Sequence, residues 1–83
     1  MPYIEKALRA PIDEHVDKLT LNSPGELNYA ITKLIMGYTK NRVRYSTIND
    51  VVGAIECAKA EFYRIVVAPY EDLKIVQNGK ITV

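Results

Sequence analysis

Eighty-three residues carry 11 Lys plus Arg against 10 Asp plus Glu, a net charge of +1, with 48% hydrophobic and 25% charged side chains. These figures predict one small domain over residues 1–83 and exclude a global charge excess that would draw the chain to nucleic acid or an anionic membrane. One cysteine, Cys57, excludes an intrachain disulfide, and one histidine, His15, excludes a His/Cys zinc set within one chain.

The opening residues 1–11 show no signal-peptide core, and no apolar run approaches the roughly 18 residues of a membrane span, so a cytoplasmic location without a membrane partner is expected. A domain this short buries only about 60% of its unfolded surface. With disulfide and metal both absent as staples, good helix packing and homo-oligomerisation are the remaining remedies.

Taken in chain order, Pro11 followed by Ile12, Asp13 and Glu14 reads as a helix start, and Ile12, Val16 and Leu19 continue at helical spacing. They predict a first helix over 11–20. In Ser23-Pro24-Gly25-Glu26, Ser23 caps, Pro24 suits the first helical position and Glu26 completes a capping box. A second helix over 24–39 follows, with Leu27, Ile31, Leu34, Ile35 and Tyr38 on one stripe. Residues 39–46 read as a loop, and Ser46 or Thr47 caps a long third helix over 47–68. Its stripe is Ile48, Val52, Ile55, Lys59, Phe62 and Val66, and Pro69 ends it because it has no backbone N–H. The tail, Leu73-Lys74-Ile75-Val76-Gln77 and Lys80-Ile81-Thr82-Val83 about Asn78-Gly79, alternates around a dipeptide suited to a type I-prime turn and predicts a short β-hairpin. The expected fold class is therefore all-α, or mainly α: a three-helix domain with a long third helix and a C-terminal hairpin, working as a homo-oligomer.

Each long helix also carries a second face. On the third helix, Gly53, Cys57, Ala60 and Arg64 lie opposite the apolar stripe, and small residues at that spacing let another helix approach closely. On the second, Tyr29 and Met36 lie opposite the stripe with Lys33 and Lys40. These six residues, Gly53, Cys57, Ala60, Arg64, Tyr29 and Met36, are the expected oligomer interface.

His15, among Asp13, Glu14 and Asp17, reads as part of a solvated helix face, and Cys57 as a packing residue without the basic neighbour that activates a thiol. No phosphate loop, nucleophile elbow or metalloprotease signature is present, so no catalytic residue, cofactor or metal is expected. The strongest chemical signal is Lys40, Arg42 and Arg44 leading into Tyr45, Ser46 and Thr47 at a helix N-terminus. Cations and free N–H groups there favour an anion. Tyr38 and Tyr45 offer rings for stacking, and Tyr70, Lys74 and Asn78 of a neighbouring subunit are expected to close the pocket. The opposing reading is a solvated loop whose arginines pair with nearby acids.

Met1-Pro2-Tyr3-Ile4, Pro24-Gly25-Glu26-Leu27-Asn28-Tyr29-Ala30-Ile31-Thr32, Ile48-Asn49-Asp50-Val51-Val52-Gly53 through Glu56-Cys57-Ala58-Lys59 to Glu61-Phe62-Tyr63-Arg64, Ala68-Pro69-Tyr70-Glu71-Asp72 and Asn78-Gly79 together resemble a functionally uncharacterised family of short proteins of tailed phages and prophages. The resemblance covers nearly the whole chain and implies no catalytic residue. It brings forward a non-enzymatic sponge that sequesters a phosphate-containing, cyclic-nucleotide-like defence signal at subunit interfaces, by analogy with small helical phage proteins. The alternative is a module that binds a host or phage protein through the Tyr29/Met36 face or by strand addition at the hairpin. Nucleic acid is not an expected partner.

Overall fold

In a computed structural model, which describes residues 2–82, the chain is mainly helical. Four α-helices follow in order, α1 (Lys6–Val16), α2 (Pro24–Thr39), α3 (Tyr45–Phe62) and α4 (Ala68–Asn78), with a π-helical turn, Tyr63–Val67, between the last two. The residues fall into two compact units, 3–52 and, with Pro2, 53–82.

In the unit 3–52, α2 starts and stops where the sequence predicts. Ser23 has extended backbone (φ −147°, ψ 157°), and its Oγ accepts from the Glu26 backbone N–H at 3.1 Å. The Glu26 carboxylate in return accepts from Ser23 Oγ at 3.2 Å and from the Asn22 N–H at 3.4 Å. Otherwise orphaned donors are thereby satisfied at the helix entry, and Pro24 sits where a missing N–H costs nothing.

α1 differs from expectation: it runs from Lys6 to Val16 and holds Pro11 in its interior. Residues 6–10, Lys-Ala-Leu-Arg-Ala, are all strong helix formers, so helix extends to the N-terminal side of the proline despite the N–H it lacks. Leu19 consequently lies beyond the helix, its N–H bonded to Val16 O at 3.0 Å. Helix α3 also begins earlier than predicted, the Arg44 carbonyl accepting from Ile48 N–H at 3.0 Å. Ser46 and Thr47 are therefore inside its first turn rather than at the cap. Thr47, 8% exposed, is the one buried side chain among the described residues.

The C-terminal hairpin is not formed. Residues 68–78 are helical, no strand occurs among the described residues, and Val83 of the expected second strand lies outside them. Pro69 does not stop the helix because the chain widens just before it: the Ala68 N–H reaches back five residues to Tyr63 O, and Pro69 falls in the first turn of α4. Asn78-Gly79 is a helix end. Gly79 (φ 90°) turns the chain out while its N–H bonds Ile75 O at 2.9 Å. The positive φ that suits Gly to a hairpin turn suits it equally to a C-cap, and a short apolar run does not separate the two.

No hydrophobic side chain among the described residues is buried. Within 3–52, α1 and α2 do not pack on each other; within 53–82, the elements in contact are the π turn and α4, consecutive in the chain. The stripe of α2 lies open, with Leu27 50% and Leu34 61% exposed, as do Phe62 and Val66 beyond α3's midpoint. Isolated exposed leucines are ordinary in proteins, whereas whole stripes left uncovered mark surfaces meant for contact.

Candidate functional site

The basic loop spans Lys40–Arg44 in the unit 3–52. Lys40 closes α2 with φ 30°, its N–H bonded to Met36 O at 2.9 Å, an uncommon backbone conformation for a residue with a side chain. Arg42 folds back: its Nη2 donates to Tyr38 O at 2.6 Å and its guanidinium lies 4.9 Å from the centroid of the Tyr38 ring. Thus two predicted ligand residues, Arg42 and Tyr38, are brought together on each other. The arginine caps a free helix carbonyl and makes a cation–π contact. Arg44 is exposed, and the Tyr45 ring is 86% exposed. Ser46 is exposed as well, and the buried Thr47 is the one residue of the set withdrawn from solvent.

Tyr70, Lys74 and Asn78 belong to the unit 53–82, one turn apart along α4. Lys74 Nζ lies 5.5 Å from the Tyr70 centroid and 3.4 Å from Gln77 Oε1. Lys74 and Asn78 line a shallow groove of about 410 Å³ with Glu71, Ile75 and Lys80. The helix, in place of the expected strand, is what gathers them on one side.

The predicted small-residue face is open. Gly53, Cys57, Ala60 and Arg64 are all exposed, and a Cβ at Gly53 would meet nothing within 4 Å. Arg64, in the π turn, pairs with Glu61 three residues earlier, at the end of α3. Among the described residues no group of three or more His, Cys, Asp or Glu stands together as a metal site, and no helix is long and apolar enough to cross a membrane.

A further concavity lies elsewhere on 3–52. Leu19 and Leu21, in the segment before α2, and a face of α2 itself enclose an open groove of about 530 Å³. Gly25, Tyr29, Ala30 and Leu34 form its floor and walls, with Glu26 and Lys33 the charged members of the lining. Tyr29, expected at an interface, belongs to it; Met36, 62% exposed, does not line it. The leucines fall outside the expected site because the spacing of Ile12, Val16 and Leu19 predicts a helix through Leu19. Once that helix ends at Val16, Leu-x-Leu becomes a free segment beside α2. The alternation of Gly25 and Ala30 with Tyr29 and Leu34 at helical spacing is the sequence signal that marks this face.

No curated protein and no solved structure matches the chain. A family model does match, over residues 1–81 and so almost the whole length, and the chain belongs to that family, described as Domain of unknown function (DUF6899).

Proposed function

We propose that the protein is a non-enzymatic binding subunit that works as a homo-oligomer, its exposed helix faces being the surfaces through which copies join. The observation that carries this reading is the absence of any buried hydrophobic side chain among the described residues, while Leu27, Leu34, Phe62 and Val66 stand open on helical stripes. At about 25 cal/mol per Å² of apolar surface, leaving such stripes in water forfeits the main driving force of folding, and contact with other copies supplies it. Native mass spectrometry of the protein as purified tests this: an oligomer of defined subunit number is expected, and a monomer across micromolar concentrations overturns it.

Capture of a phosphate-bearing nucleotide signal, as a phage or prophage sponge, is a second reading. It is favoured by Lys40 and Arg44, exposed cations at the entry of α3, and by Lys74 and Lys80 at the groove on α4. The same spectrum addresses it, since a retained nucleotide would add a stoichiometric mass. If added cyclic dinucleotides leave the melting temperature unchanged, this reading fails, because a ligand that binds only the folded state raises stability.

A further inference from the structure

We infer that the Tyr29 face of α2 is a two-fold interface, with a second copy of this chain lying antiparallel in the groove. The inference rests on the homo-oligomeric reading above and specifies where the copies meet.

The two charged α2 residues that line the groove, Glu26 and Lys33, are seven positions apart on one face of the helix and are self-complementary under one two-fold axis. Place that axis between Tyr29 and Ala30 and run the second helix antiparallel. Glu26 then faces Lys33 of the other copy, and Tyr29 meets Tyr29 of the other copy beside the axis. Each of these charges meets its opposite, twice per dimer. At 1.5 Å per residue the charged positions sit roughly 5 Å along the helix from the axis. Such an isologous arrangement is what closed two-fold symmetry requires of a surface.

The local structure suits the part. Glu26 is held by the cap, its carboxylate fixed by Ser23 Oγ and the Asn22 N–H, so it is presented in a set position. Lys33 is exposed and makes no ion pair among the described residues. Gly25 and Ala30 allow the helices to come close, a Cβ at Gly25 meeting only Ser23 Oγ, at 3.8 Å. Leu19 and Leu21 then flank the second helix as walls. A helix laid into an apolar groove is an established mode of recognition, and here the groove and the helix are the same element.

Charge reversal tests the register. Alone, Lys33→Glu sets Glu against Glu at both contacts, and alone Glu26→Lys sets Lys against Lys; each is expected to raise the dissociation constant of self-association at least ten-fold. Mixed in equal amounts, the two variants regain opposite charges at both contacts, so a heterodimer near wild-type affinity is expected in sedimentation velocity. Because Glu26→Lys also removes cap contacts, Ala30→Trp serves as a second variant that leaves the cap intact. It places bulk beside the two-fold axis, against residue 30 of the other copy, and is likewise expected to weaken association at least ten-fold. Unchanged association in Lys33→Glu and Ala30→Trp would overturn this interface while leaving the homo-oligomer standing. Failure of the mixed variants to associate would overturn the register. A monomeric wild type would overturn the parent reading itself.

Discussion

Of the three prolines that lie in helices of this chain, Pro24 and Pro69 stand in first turns, and they do so under opposite conditions. Pro24 follows Ser23, whose extended backbone and hydroxyl form a cap, and the helix begins cleanly there. Pro69 follows Ala68, which is fully helical (φ −61°, ψ −46°) and has no side chain to offer, and the helix runs on through a π turn. The proline ring alone therefore does not end a helix. What decides is whether the residue before it can take and hold the extended backbone that proline favours.

The largest expected effect comes from removing the proline that helix has grown past. Pro69→Ala restores an N–H and relieves the crowding that the π turn accommodates, so helicity rises and stability increases by about 1 to 3 kcal/mol, read by circular dichroism and thermal melting. Removing the cap acts in the other direction: Ser23→Ala deprives the Glu26 N–H of its acceptor and costs about 1 kcal/mol. A similar loss, about 1 kcal/mol, is expected for Gly79→Ala, since a methyl group at φ 90° is strained although nothing crowds it. Smallest is Arg42→Ala, which removes an exposed bond to Tyr38 O and the ring contact, a loss of about 0.5 kcal/mol. Equal melting temperatures for Ser23→Ala and the wild type would show that the cap does not distinguish the two prolines.

The same contrast explains how much was legible beforehand. The bounds of α2 were readable because Ser23, Pro24 and Glu26 act within four residues of one another, and local hydrogen bonds need no tertiary partner. The tail was not readable, because Leu73, Ile75, Val76 and Asn78-Gly79 satisfy both a hairpin and a capped helix. In the structure the segment is helix, entered through the π turn Tyr63–Val67. Of the residues that line the groove, Tyr29 is marked in the sequence by its position opposite the apolar stripe, whereas Leu19 falls within the predicted helix over 11–20, which in the structure ends at Val16. Arg42 and Tyr38 were both singled out, but their contact with each other depends on the tight turn at Lys40, which no neighbouring Gly announces.

The exposed stripes of these helices are proposed to be covered by further copies of the chain. Thermal melting across a hundred-fold range of protein concentration, alongside sedimentation equilibrium, tests this most directly. If association stabilises the fold, the melting temperature climbs with concentration and the dissociation of subunits accompanies loss of helix. A monomer that melts cooperatively at one temperature throughout would contradict the account.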